Sequence, residues 1–344
     1  MLNSFDLGGL RISTNSKSIV IAEIGPNHNG SLSEAKKLID FAKKAGCSAV
    51  KFQYHLADHE LSTNKSKIPW TGHNRYEFIK EVQEFKLSDH KKLRDYTKSK
   101  NLAFISSPFS LKAAENLKNI GVDAYKIASG EISNKALLEF CAKTRKPILI
   151  STGMSNLEEI DQSVKFVRKF TDKVIIMQCT SLYPTPSERV NLSLLEYFRK
   201  KYKLHVGLSD HTLTSISCIG AVALGAKILE KHFTRNKLQD GPDHFISLNF
   251  GEMSKLVKDI RELEICIGRK EKNICKEIKK VRKTFYNSLV TQNLIPKGTK
   301  ISKSDVIEKK PGGGISPFYI SKVIGRKSKR LLKKNHLLKW SDFE

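Results

Sequence analysis

Short apolar runs rich in β-branched residues recur along the first 230 or so positions, and the segments between them carry a helical period. The runs are Ile19–Ile24, Ser48–Gln53, Ala103–Ser107, Ala124–Ala128, Pro147–Ser151, Val174–Gln178, Leu204–Leu208 and Lys227–Lys231. Two of the helices announce their starts. Leu32–Lys44 follows Ser31, a good N-cap, and Leu157–Lys169 follows Ser155–Asn156, with Glu158 and Glu159 in the first turn where negative charge offsets the helix dipole. Eight βα repeats in about 250 residues predict an α/β protein built as a closed TIM (β/α)8 barrel, with an open doubly wound sheet as the alternative. The connection from Gln53 to about Asp89 is long and holds Trp70, Gly72 and His73, which reads as a βα loop enlarged over the barrel mouth.

The pattern changes after Gly268. Lys270–Arg282 is polar and charged, and from Ser288 onward short runs (Ser288–Val290, Asp305–Ile307) alternate with the turns Pro296–Lys297–Gly298 and Pro311–Gly312–Gly313–Gly314. The chain is expected to divide into a barrel at 1–270, a linker at 271–282 and a small β-rich module at 283–344. A module that small buries little surface and is expected to lean on a partner.

Composition narrows the class. With 344 residues, 39% apolar and 28% charged, the chain can bury a sizeable core, which excludes a disordered tail or a disulfide-stapled peptide. The six cysteines form no C-x-x-C pair and predict reduced thiols in a cytoplasmic protein. The longest apolar stretch, around Cys218–Ala226, is too short to cross a bilayer, and Met1–Arg11 has no basic flank followed by an apolar run, so neither a membrane partner nor a secretory leader is expected. The net charge of +26 suits nucleic acid, an anionic substrate or a solvated basic face. Neither an RNP-type aromatic motif nor a zinc-finger pattern accompanies it, so no nucleic-acid partner is expected. Walker, Gly-x-Gly-x-x-Gly and Gly-x-Ser-x-Gly motifs are also missing.

In a barrel the chemistry lies at the C-terminal strand ends. Lys51 and Lys126 sit there with the hydroxyls of Ser107, Ser129, Ser151 and Ser209, a set suited to a phosphate or carboxylate. The alternative is that each lysine pairs with a strand-end carboxylate such as Glu23, because a buried ammonium needs an anion. His211 and His232 end adjacent strands and can share a divalent ion such as Mn²⁺, Co²⁺ or Zn²⁺, or else serve as hydrogen-bonded rim residues. His28 and His244, in glycine- or proline-flanked loops, are further candidates near the mouth.

The strand-end peptides resemble those of the sialic acid synthase family. The stretches are IAEIGPNHNG at 21–30, KFQ at 51–53, SPF at 107–109, KIASGE at 126–131, STGM at 151–154, QCTSLYPTP at 178–186, GLSDHT at 207–212, EKHFT at 230–234 and GPDH at 241–244, and the C-terminal module resembles the family's antifreeze-like (SAF) domain. The resemblance implies condensation of phosphoenolpyruvate with an N-acylated amino sugar. Lys51, Ser107, Lys126, Ser129, Ser151, Ser209 and Ser181 match positions that hold phosphoenolpyruvate, and Ser181 stands where relatives often have Asn. Gln53, Tyr183, Asp243 and Glu23 match contacts to the acceptor or to a metal's water, and Glu131, with Glu23, matches the proton-transfer role. His211 and His232 match metal ligands, with Mn²⁺ the first choice and Mg²⁺ or Co²⁺ the alternatives. In relatives a basic residue before the Pro-Gly of the SAF domain, usually Arg, reaches the partner's barrel in a homodimer with exchanged domains. Here it is Lys310, which lacks the bidentate fork. The implied acceptor is N-acetylmannosamine, giving N-acetylneuraminate. A 2,4-diacetamido sugar, giving legionaminate or pseudaminate, is the alternative, and Asn27–His28–Asn29–Gly30 resembles the neuraminate and legionaminate types. A non-catalytic basic binding barrel is the remaining reading, and the intact set Lys51, Lys126, Glu131, His211 and His232 opposes it.

Overall fold

A computed structural model describes residues 2–62, 65–269 and 271–344, and it divides into two units, Met1–Gly268 and Arg269–Glu344. Lys270, at the expected junction of barrel and linker, lies outside the described residues.

The first unit begins with a hairpin, β1 (Phe5–Leu7) and β2 (Leu10–Ile12), followed by eight parallel strands: β3 (Ile19–Glu23), β4 (Ala49–Tyr54), β5 (Ala103–Pro108), β6 (Ala124–Ile127), β7 (Ile148–Ser151), β8 (Val174–Cys179), β9 (His205–Asp210) and β10 (Ile228–His232). They close in chain order, with β10 pairing both β9 and β3, so the barrel has no edge. All eight apolar runs are strands, and the closed sheet prevails over the open alternative. The hairpin is not among the expected elements, although Gly8–Gly9 between Phe5-Asp6-Leu7 and Leu10-Arg11-Ile12 is a hairpin signal.

The period-2 geometry of each strand sorts its residues into two cores. Outward side chains such as Val20, Val50, Phe52, Phe104, Tyr125, Ile150, Ile176 and Leu208 pack under the helices. Inward side chains low in the barrel, among them Ile21, Ala49, Ile105, Ala124, Leu149, Met177 and Ile228, form a separate plug together with Leu7 and Ile12 of the hairpin. The hairpin therefore stoppers the N-terminal end of the barrel. Continuing the same inward alternation one tier higher reaches Glu23, Lys51, Gln53, Ser107, Lys126, Ser151, Cys179, Ser209, Glu230 and His232, all of which line one cavity.

The connecting helices start where their caps dictate. Ser31 Oγ accepts from the Glu34 N–H at 3.2 Å, and Asn156 and Asn249 each form a reciprocal capping box, with Glu159 and Glu252. The long connection after β4 holds the short helices Ala57–Glu60 and Arg75–Phe78.

In the second unit, β11 (Ser288–Thr291) pairs antiparallel with β12 (Val306–Lys309) over a core of Leu289, Ile295, Ile301, Val306, Ile315, Val323, Leu332, Leu338 and Phe343. Lys276–Phe285, most of which falls in the stretch whose charge suggests a linker, is a helix.

Candidate active site

The polar tier opens into a cavity of about 510 Å³ whose walls include, of the barrel residues singled out from the sequence, Glu23, Lys51, Gln53, Ser107, Lys126, Ser129, Glu131, Ser151, Ser181, Tyr183, Ser209, His211, His232 and Asp243, but neither His28 nor His244. Lys310 belongs to the second unit, where its ammonium sits 5.7 Å from the centre of the Phe285 ring.

Both lysines are paired. Lys51 Nζ lies 2.9 Å from Glu23 Oε1 and 3.7 Å from Glu230 Oε1, and Lys126 Nζ lies 2.9 and 2.8 Å from the two oxygens of Glu230. The carboxylate-pairing alternative thus holds for both, with Glu230 as an unforeseen partner. Its signal was present, because two residues before the inward His232 the chain must again face inward. Pairing leaves each ammonium further contacts, since Lys51 also donates to Ser107 Oγ at 3.2 Å and Lys126 to Ser209 Oγ at 3.4 Å. Near them the loop after β7 is pared to backbone. The Gly153 N–H donates to Ser129 Oγ at 3.0 Å, and a Cβ on Gly153 would fall on Ser181 Oγ, Cys179 Sγ and Ser129 Oγ. Two ammonium groups, a ring of hydroxyls and this hollow make an anion cradle. Cys179 is a second wall residue that the motifs did not single out.

The carboxyls differ in environment. Glu23 Oε1 accepts twice, from Lys51 and from Gln53 Nε2 at 2.8 Å, whereas Oε2 is buried with no hydrogen-bond partner. Burial raises its pKa above the ordinary value, against the pull of Lys51. Burial, reinforced by Glu23, pushes Asp243 up to about 7. Burial also raises Glu131, although Asn134 Nδ2 donates to it at 2.9 Å. All three carboxyls hold a proton more readily than a solvated one, and Asp243 does so near neutrality.

The imidazoles of His211 and His232 stand 5.4 Å apart between ring centres. Nδ1 of His211 lies 2.9 Å from the Thr180 carbonyl oxygen and carries a proton; against burial, Cys179 and that carbonyl raise the ring's pKa, and in the neutral ring the lone pair is on Nε2, which faces Tyr183 Oη at 3.2 Å. His232 is held neutral by burial, and its Nδ1 is a buried atom without a hydrogen-bond partner, 3.4 Å from Asp243 Oδ2. Two converging imidazoles beside a carboxyl fit a divalent cation of borderline softness, which would displace the proton that the raised pKa of His211 favours. Among the described residues the structure groups two histidines here rather than a full protein ligand set, so water or substrate would complete the coordination.

Gly25, with φ of +49°, brings its backbone against Glu23, Gln53 and Asp243, a conformation few side-chain-bearing residues adopt. Trp70 stacks on Tyr183 at 4.6 Å and Tyr183 on His211 at 4.3 Å, and Trp70 Nε1 donates to the Pro242 carbonyl at 3.2 Å. The other two marked histidines are structural: buried His28 stacks on Phe85 at 4.3 Å, and His244 Nδ1 pairs with Thr234 Oγ1 at 2.7 Å. Nor does Lys231 join the cavity. It points outward, buried, to Asp210 at 2.6 Å, an ion pair that ties β9 to β10 directly beside His211 and His232.

Fold and site together define a (β/α)8 barrel whose C-terminal mouth gathers two ammonium groups, hydroxyls, carboxyls and two imidazoles, the place and the equipment of a barrel enzyme. The NeuB family profile matches residues 38–272 and the SAF domain profile residues 286–344. The N,N'-diacetyllegionaminic acid synthase of Campylobacter jejuni is 38% identical over 94% of this chain and 99% of that protein, and the N,N'-diacetyllegionaminic acid synthase of Legionella pneumophila is 36% identical over 94% of each. The solved N-acetylneuraminic acid synthetase of Leptospira borgpetersenii, in complex with citrate, is 31% identical, with a TM-score of 0.74 over 82% of this chain and 95% of that one. The chain belongs to the NeuB family. It is an enzyme, a transferase-type synthase of the sialic acid class, ending in a SAF domain.

Proposed function

We propose that this protein condenses phosphoenolpyruvate with the open-chain aldehyde of a 2,4-diacetamido sugar and water, yielding a legionaminate-type product and phosphate. The observation that carries the reading is the single mouth in which Lys51, Lys126, the serine hydroxyls, two imidazoles and three proton-holding carboxyls share one 510 Å³ cavity. The acceptor assignment is supported by the 38% and 36% identity to two diacetyllegionaminic acid synthases. N-acetylmannosamine, the sequence-based first choice, is favoured instead by the likeness to the Leptospira N-acetylneuraminic acid synthetase.

Lys51, Lys126, Ser107, Ser129, Ser151, Ser181 and Ser209 bind the donor's phosphate and carboxylate. The lysines act electrostatically, since an enol phosphate needs no Schiff base. Gln53, Tyr183 and Asp243 orient the acceptor. The donor C3 attacks the aldehyde carbon, water adds at C2, and the tetrahedral carbon collapses with cleavage of its C–O bond to phosphate. Glu131 and the unpaired Oε2 of Glu23 move the protons that these steps release and consume. His211 and His232, with Asp243 beside them, would hold a divalent cation, Mn²⁺ first and Mg²⁺ or Co²⁺ otherwise, which supplies Lewis-acid polarisation of the acceptor oxygen when bound. The working unit is a homodimer with exchanged SAF domains, each bringing Lys310 to its neighbour's acceptor, in the cytoplasm.

The test is phosphate release from phosphoenolpyruvate and Mn²⁺ with each sugar in turn. The 2,4-diacetamido sugar is expected to show the highest kcat/KM. Release with N-acetylmannosamine alone moves the protein to the neuraminate type, and release with neither overturns the reading.

A further inference from the structure

The acceptor side of the cavity rests on a buried chain of polar side chains that reaches out from Glu23. Gln53 lies between two demands. Its Nε2 donates to Glu23 Oε1 at 2.8 Å, and its Oε1 accepts from Gln83 Nε2 at 3.1 Å and faces His55 Nε2 at 3.1 Å. On its other side His55 presents Nδ1 to Glu60 Oε2 at 2.8 Å. Both ring nitrogens therefore meet oxygens that only accept when Glu60 is ionised, the form that Arg75 on its other oxygen favours, and the ring then satisfies both only when each nitrogen carries a proton. The side chains of His55 and Glu60 are 5% and 3% exposed, and Phe109 stacks on the imidazole at 3.8 Å and 20°. A buried cation and a buried carboxylate in contact stabilise one another's charge. The remaining Glu60 oxygen accepts from Arg75 Nη2 at 3.2 Å, which fixes the carboxylate from the cavity wall.

From this geometry we infer that His55 and Glu60 are positioning residues: an imidazolium–carboxylate pair that locks the Gln53 amide with its NH₂ on Glu23. Turned the other way, the Gln53 carbonyl would face the Glu23 carboxyl and a His55 N–H would face an NH₂. With the amide locked, Glu23 Oε1 is engaged by Gln53 and Lys51 together, and Oε2 is left as the one oxygen free to meet a substrate. The chain meets the donor cradle at one point, where Lys51 shares Glu23 Oε1 with Gln53. The inference rests on the proposed condensation only for its kinetic arm.

Two measurements test it. In a double-mutant cycle, Glu60→Gln and Glu60→Ala should each lower kcat about 10- to 100-fold, the range typical of residues that orient a reacting group, while the donor KM stays within about twofold. In a Gln53→Ala background the same substitutions should cost less than about twofold. An undiminished loss in that background means Glu60 acts elsewhere and overturns the inference. The second measurement needs no turnover: ¹⁵N imidazole spectra of the full chain should show both His55 nitrogens as N–H, reverting to a single-N–H tautomer in Glu60→Gln. A neutral His55 in the unaltered protein overturns the positioning chain whatever the activity. A protein that shows the imidazolium yet releases no phosphate overturns the proposed function alone.

Discussion

Lys126 donates to both oxygens of Glu230, so removing it acts twice. Lys126→Ala deletes a charge-assisted contact to a dianionic donor, worth roughly 1.5–3 kcal/mol, and the donor KM should rise about tenfold or more. It also leaves the buried Glu230 carboxylate only Lys51 at 3.7 Å and the Ser209 hydroxyl at 3.1 Å, and chemical denaturation should report a loss of up to about 3–5 kcal/mol. Combining Lys126→Met with Glu230→Gln should return most of the stability and none of the donor affinity. A double variant as unstable as Lys126→Ala would mean the pair is not the main partner of either charge. At the same scale, phosphate release should stop in EDTA and return with Mn²⁺. His211→Ala should not recover on Mn²⁺ addition, and full activity of that variant in chelator would sever His211 from any metal role. Which residue types crowd the mouth was legible in the sequence, since strand ends can be read from the apolar runs. Glu23 was readable as a partner for a lysine, since it ends the strand just before that of Lys51, but the pairing of Lys126 with Glu230 was not: it joins β6 to β10 across the barrel, and periodicity carries no information about which residues meet there.

Among the elements, the N-terminal hairpin and the loop after β4 do opposite jobs. Leu7 and Ile12 fill the closed end of the barrel together with Ile21, Leu149 and Ile228. Leu7→Ala should cost about 2–5 kcal/mol by transfer loss and cavity formation, with kcat/KM for both substrates within about twofold, because the plug lies beneath the apolar layer and not at the mouth. A loss of activity without loss of stability would contradict that division. The second unit has its own electrostatic anchor. The buried Asp342 carboxyl accepts from Arg330 Nε at 3.0 Å, from His336 Nε2 at 2.9 Å and from the Lys339 N–H at 2.8 Å. Burial works to raise its pKa, but the Lys339 N–H, His336 and Arg330 together hold it below the ordinary 3.8. A carboxyl depressed in the folded state contributes stability that is fully present above its unfolded value and is lost as pH falls through the folded one. Melting of the second unit should therefore weaken below about pH 4, and Asp342→Asn should be less stable at neutral pH with a flatter acid limb. An unchanged acid limb would assign the pH dependence to other groups.

For the whole molecule, the proposed exchange of SAF domains makes a prediction that neither unit makes alone. An inactive Glu131→Ala chain mixed with an inactive chain lacking residues 283–344 should regain activity in verified heterodimers, because one intact barrel then meets one intact module. Persistent inactivity would mean that the module serves its own chain, or that Lys310 is not needed. The sequence by itself determined the repeat of eight strands, their parallel sense, a change of pattern after Gly268 and the set of ionisable residues at the strand ends. Each of these follows from local periodicity, turn chemistry and the rule that a barrel's active site lies at one end of its strands. The closed barrel predicted from the repeats is the fold observed; only the tertiary structure decided that the hairpin is its stopper, that Lys231 faces outward to Asp210 while Glu230 faces inward to both lysines, and that His55, Glu60 and Gln53 form one hydrogen-bonded line. Those facts depend on which strand lies beside which and on the directions of hydrogen bonds between residues distant in sequence. That information exists only once the chain has folded.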